Sequence, residues 1–245
     1  MKKKVLLAAA LIALMAAGAF AQNYNPESDF DAAAVGGGMS ITNYKGSAAV
    51  VRIPPTIRNV PVVEIGKGAF DALKITSVVI PNSVLHIYDN AFYDCTSLAS
   101  VTIPNSVKTI EQGAFNGCTS LASINIPNSV THIGQSAFSN TGITSLIIPN
   151  NVVTIAPYAF SRNAKLASVT IGSGVTNLHD NAFSRCTSLT SVTFLGPLSL
   201  SGFSTTAFNG LGDIRDKFFA ANAEKGTPGK YMRSSGTATT WAKQQ

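Results

Sequence analysis

The side chains with intrinsic reactivity are few: Cys95, Cys118 and Cys186, and His86, His132 and His179. The thiols occupy one slot in copies of a recurring string. They stand in Ala91-Phe92-Tyr93-Asp94-Cys95-Thr96-Ser97-Leu98, again from Ala114 with Cys118, and again from Ala182 with Cys186. If successive copies stack one strand apart, the Cα atoms of Cys95 and Cys118 come within the ~4.4–6.8 Å that a disulfide spans. Either a bridge formed in an oxidising compartment or two buried thiols packing as small hydrophobes fits that slot; Cys186, three units on, has no partner. Metal binding needs clustered ligands, but His86 and His132 lie two units apart and His179 is one place out of register. No serine stands in a nucleophile-elbow pattern, and no acid and histidine recur where stacking would assemble a base and its orienter. Gly36-Gly37-Gly38 follows no clear strand and opens no helix, so it reads as a turn rather than a phosphate loop. The expectation is no enzyme, no metal and no cofactor.

The elements that carry these residues form a tandem array. Ile80-Pro81-Asn82-Ser83-Val84 returns as Ile103 to Val107 and Ile126 to Val130, and more loosely from Ile148 and Ile171. A period of 22 to 23 residues is too short for a unit with its own core, so each unit must bury its apolar side on its neighbours. The pairs Val51/Ile53, Val78/Ile80, Val101/Ile103, Ile124/Ile126, Leu146/Ile148, Val169/Ile171 and Val192/Phe194 alternate as half-buried strands do. They predict a repeat solenoid with a parallel β-sheet of seven short strands, roughly 29 Å wide at ~4.8 Å per strand.

Proline removes a ladder donor after each strand and Asn-Ser supplies turn chemistry, so the strand ends there. A second apolar pair follows, as in Val84/Ile87 and Val107/Ile110, and five residues later comes a phenylalanine: Phe70, Phe92, Phe115, Phe138, Phe160, Phe183 and Phe208. Stacked units make that column an aromatic spine. The alanine before each ring is explained by crowding between coils.

Side chains between the buried strand residues point outward in two columns. One is Ser77, Ser100, Ser123, Ser145, Ser168 and Ser191; the other is Val79, Thr102, Asn125, Ile147, Thr170 and Thr193. The serines suit an exposed ladder and hydrogen-bond along it. The second column varies more, exposing Val79 and Ile147 beside polar neighbours, and is the candidate binding surface. The turns before each phenylalanine also vary (Tyr88-Asp89-Asn90, Glu111-Gln112-Gly113, Ala156-Pro157-Tyr158), as recognition loops and unconstrained loops both do.

At the N-terminus, Lys2, Lys3 and Lys4 precede an apolar run over residues 5–17, and Ala19-Phe20-Ala21 ends on a small-x-small cleavage pattern. Residues 1–21 are therefore expected to be a signal peptide, with a 13-residue run short of a membrane span. Without the three lysines, 15 basic residues face 12 acidic ones, which is not a nucleic-acid binder's balance. Residues 22–49 are assigned to an N-terminal cap, with a hairpin turning at Lys45-Gly46, residues 50–211 to the repeats, and residues 212–245 to a C-terminal cap. That cap is expected to hold a short helix near Ile214, a hairpin around Ser234-Ser235-Gly236, and Trp241 against the last coil.

The repeated string, Ala91 to Val107 and Ala114 to Val130, closely resembles the BspA-like, or Treponema pallidum-type, leucine-rich repeat over about residues 50–210. The resemblance implies a solenoid with a non-helical convex side and an inward-facing cysteine slot. It also implies a secreted, cell-surface or periplasmic protein that binds proteins, in adhesion to host matrix, host cells or other bacteria. An envelope scaffold without an adhesive role is the alternative. No nucleic acid and no small-molecule substrate are expected, and membrane association is at most peripheral.

Overall fold

The computed structural model describes residues 23–244, so the expected signal peptide lies outside the described residues. The chain coils into a β-solenoid. Val50–Arg52, Ser77–Val79 and Ser100–Thr102 pair in parallel and in register, as do Ser145–Ile148, Ser168–Ile171 and Ser191–Phe194. The expected single sheet is thus two sheets, with a gap at residues 123–126. Next to the gap is the one short unit, 22 residues from Ile126 to Ile148 where the preceding unit has 23. In the shortened turn Gly142 packs on the coil before it, where a Cβ would lie 2.6 Å from the Thr119 carbonyl oxygen. The strand register does not carry across, and Val101 and Ile124 are only partly buried.

A second parallel ladder, absent from the sequence reading, runs along the returning side. Its two-residue strands are His86–Ile87, Thr109–Ile110, His132–Ile133, Thr154–Ile155 and Asn177–Leu178, paired coil to coil without a break. Each is launched by a tight turn in which a carbonyl accepts the N–H three residues on, that of a proline in the first four, as from Val84 to Pro81 at 3.1 Å and Val107 to Pro104 at 3.2 Å, and that of Gly172 in the last. The turn reverses the chain at once, so the apolar pair arrives extended beside its neighbour.

Inside, the phenylalanines form the expected spine. Neighbouring rings from Phe70 to Phe208 stack at 4.8 to 5.5 Å. The alanine before each ring is buried because its carbonyl accepts the phenylalanine N–H of the preceding coil, 2.8 Å for Phe92 to Ala114 and Phe115 to Ala137. A larger side chain has no room beside that bond.

Both ends are covered. At the N-terminus, Phe30–Val35 and Gly38–Tyr44 form an antiparallel hairpin, and the second strand joins Val60–Ile65 of the first coil. The hairpin turns at Gly36-Gly37, with Gly37 at φ +93°, and not at Lys45-Gly46 as the sequence suggested. Only a residue without Cβ reverses the chain cheaply there. Tyr44 extends the spine, stacked 5.4 Å from Phe70. At the C-terminus, the helix Ile214–Phe219 buries Phe218 and Phe219, and Gly229–Met232 pairs antiparallel with the last repeat strand and with Ala242–Lys243. Trp241 is buried and donates its indole N–H to the Leu211 carbonyl at 2.7 Å. Arg233 lies under it, its guanidinium 5.2 Å from the indole and donating to carbonyls of Leu189, Leu211, Ala238 and Thr187. A buried cation is tolerable because those four acceptors replace its water.

Candidate functional site

The alternation of the strands decides which side chains reach solvent. Of the six candidate residues, the register aligns Val79 with Thr102 in one sheet, and Ile147, Thr170 and Thr193 in the other. Asn125 is exposed in the gap between them, outside any ladder. Thr102 is exposed; Val79, Thr170 and Thr193 are half-buried; Ile147 is 70% exposed, the most exposed of the large apolar side chains. The column also continues beyond the six. Arg52 pairs with Val79 at one end, and Lys230 with Thr193 at the other. A neutral stripe thus ends in a cation on each side. Arg52 was legible in the alternation Val51-Arg52-Ile53, whereas Lys230 joins only because the cap strand folds back antiparallel. In the serine column, Ser77 and Ser100 share a hydrogen bond of 3.1 Å.

The cysteine slot is structural. Cys95, Cys118 and Cys186 are free, fully buried thiols that donate to the carbonyls of Phe70, Phe92 and Phe160, the spine residues one coil earlier. Burial pushes the Cys95 and Cys186 thiols up to about 12, and that of Cys118 up as well. Such thiols are inert as nucleophiles. Asn163 fills the same slot in the fifth unit. Its amide nitrogen donates to Phe138 at 2.9 Å and Phe160 at 2.8 Å, and its oxygen accepts from the Thr141 backbone and hydroxyl. His86 is engaged with Thr109 through Nδ1 at 3.0 Å, on the second ladder.

The variable turn surface extends further than the sequence suggested, past each phenylalanine as well as before it. The turns around each phenylalanine use two left-handed residues per coil. Two places before the ring stand Gly68, Asn90, Gly113, Ser136, Tyr158 and Asn181; two places after it stand Ala72, Asp94, Gly117, Asn140, Arg162, Arg185 and Gly210. Glycine and asparagine accept that conformation readily, but it costs other residues about 1 kcal/mol or more. Tyr158, Arg162 and Arg185 occupy it nonetheless, and all three line a polar groove of about 540 Å³ with Asn181 and Asn209. A second groove of about 310 Å³ continues from Tyr158 and Arg162 toward Asn116 and Asp94. The sequence signal was the repeat Phe160-Ser161-Arg162 and Phe183-Ser184-Arg185, hidden among turns that vary everywhere. Elsewhere on the turns, Asp180 accepts from the hydroxyls of Ser204 and Thr206, which hold its carboxyl below the usual range.

Residues 52–167 and 85–215 match the model of the BspA type leucine rich repeat region, in six copies. Among solved structures, a T. pallidum leucine-rich repeat protein is 36% identical with a TM-score of 0.67, the match covering 71% of this chain and 82% of that one. A leucine-rich repeat protein from Bacteroides ovatus is 31% identical with a TM-score of 0.62, covering 67% of this chain and 45% of that one. A leucine rich cell surface protein from Faecalibacterium prausnitzii is 27% identical with a TM-score of 0.57, covering 75% of this chain and 58% of that one. The chain therefore spans most of the first of these proteins but only about half of the other two. No curated protein matches.

Proposed function

The chain belongs to the BspA-type leucine-rich repeat family, and on that premise we propose that it is an exported binding protein. Its sheet face engages a surface protein of a host or of another bacterium. The family is a protein-interaction repeat scaffold, typically non-catalytic. The observation that carries the reading to this face is Ile147. It stands 70% exposed on a rigid strand, between Thr170 and the open backbone at Asn125, in a column without charge until Arg52 and Lys230. A preformed apolar contact ringed by small hydroxyl and amide groups loses little entropy on binding and excludes water around its centre.

Export is supported by the basic, apolar and small-residue order of residues 1–21. No helix among the described residues is long and apolar enough to cross a membrane. The scaffold alternative uses open sheet edges for self-association: Gly229–Met232 covers the last repeat strand at the C-terminal end, whereas Val50–Arg52 remains the edge strand of its sheet at the N-terminal end.

The test uses the chain lacking residues 1–21, immobilised and offered host matrix proteins and whole bacterial and host cells. Replacing Thr102, Asn125 and Thr170 together by glutamate abolishes binding while the circular dichroism spectrum stays unchanged. Undiminished affinity in that folded variant rules the face out. Protease treatment of intact cells tests localisation: digestion supports surface display, and full protection until the envelope is opened favours the scaffold.

A further inference from the structure

We propose that the groove over Arg162 and Arg185 binds a saccharide ending in a single carboxylate-bearing sugar, independently of the sheet face. The two arginines sit on adjacent coils, since the Arg162 N–H donates to the Ser184 carbonyl at 2.8 Å, so their Cα atoms are about 5 Å apart. Two guanidinium groups rooted that close converge on one anion, each able to take one oxygen of a carboxylate. Neither has a carboxylate partner: the ion pairs among the described residues are Lys45 with Asp31 and Lys217 with Asp213. Both arginines hold the left-handed backbone position that Gly117, Asn140 and Gly210 fill in three other coils and Ala72 and Asp94 in two more, where a side chain with a Cβ is strained. Strained residues of one kind in consecutive coils, facing one groove, point to a ligand.

The rest of the lining selects the ligand class. The exposed Tyr158 ring offers a flat face for a sugar ring. Asn209 donates to Asn181 at 3.1 Å, an amide pair that keeps a donor and an acceptor for hydroxyls. A peptide would need an apolar anchor pocket, and this groove is walled by serine, asparagine and glycine around its one tyrosine and two arginines. The cations stand at one end only. The continuation past Tyr158 has Asn116, Gly117, Ser136, Ser139 and Asn140 and then the acidic Asp94. A densely sulfated or uniformly acidic chain would meet no cation there beyond Arg162 at the junction of the two grooves and would be repelled by Asp94. A neutral chain with one acidic terminal sugar fits both the charged end and the neutral run.

The experiment titrates the chain lacking residues 1–21 with sialyllactose and with a glucuronate-terminated trisaccharide, using calorimetry and saturation-transfer NMR, beside lactose, a heparin octasaccharide and a triglutamate peptide. At least one of the two acidic oligosaccharides binds, and lactose binds at least tenfold more weakly. Arg162→Gln and Arg185→Gln each lower affinity about tenfold or more, the loss expected for a charge-assisted hydrogen bond. Lys74→Gln with Lys108→Gln, an equal charge change elsewhere, leaves binding unaltered. The variant with Thr102, Asn125 and Thr170 replaced also still binds the saccharide, so failure of the sheet-face reading is separable from failure here. Binding to neither acidic oligosaccharide, equal binding of lactose, tighter binding of heparin or triglutamate, or full affinity in a folded double arginine variant overturns the proposal.

Discussion

Phe115→Ala tests the register on which every surface assignment depends. Phe115 is fully buried at the middle of the spine, 5.1 Å from Phe92 and 5.2 Å from Phe138, with rings within 6° of parallel. A buried phenylalanine removes ~150–200 Å² from water, worth ~4–5 kcal/mol at ~25 cal/mol per Å². Alanine keeps part of that area, while the cavity and the two lost ring contacts add to the cost. The expected loss is therefore ~3–5 kcal/mol, a large share of a typical domain stability of ~5–15 kcal/mol. The backbone bond from residue 115 to the Ala137 carbonyl survives the substitution, so the loss isolates the side chain. Urea denaturation followed by far-UV circular dichroism measures it. Tyr93→Ala, at an exposed position next to Phe92, serves as control and should change stability by no more than ~0.5 kcal/mol. A loss under ~1.5 kcal/mol for Phe115→Ala would place the ring outside the core and refute the assigned register.

Two further expectations concern the cysteine slot. Thiols ordinarily ionise near 9, and burial raises those of Cys95 and Cys186 to about 12. Between those values the unfolded chain has released protons that the folded chain still holds. Stability is thus unaffected below pH 9 and falls by about 1.4 kcal/mol per pH unit per thiol from 9 toward 12. Urea melts at pH 8, 9 and 10 should show that slope flatten when all three cysteines become alanine; an unchanged slope would show that the thiols are not its source. Asn163→Leu leaves the Phe138 carbonyl and the Thr141 N–H and hydroxyl without their partner, at about 1–3 kcal/mol each, while the Phe160 carbonyl keeps its bond from Cys186. The variant should lose at least ~3 kcal/mol, and Asn163→Cys clearly less, because thiols in the sister slots already donate to the same carbonyl column. Equal stability of the leucine variant and the parent would contradict the satisfied-slot account.

Much of this molecule is written locally in the chain. The strand pairs, the turn at Pro-Asn-Ser, the spine from Phe70 to Phe208, the cysteine slot and the short helix with its hairpin at the C-terminus are each set by residues within one unit. Every unit repeats the same instruction, so the pattern is audible above the variation. The outward column from Val79 to Thr193 follows from the same two-residue alternation. What assembles between units is different in kind. The gap at residues 123–126 arises because a one-residue deletion changes the offset of one coil on another, and the second ladder exists because turns bring two-residue segments beside their counterparts. Lys230 reaches the column through a strand that folds back from the cap, and the hairpin turn moves to Gly36-Gly37 because the second strand must meet Val60–Ile65. The groove of Tyr158, Arg162 and Arg185 is made by residues from separate coils, set about one strand spacing apart. Spacing along a chain encodes the period and the buried face of a repeat, but the offset between stacked coils is a balance of contacts across them, and it exists only once the stack has formed.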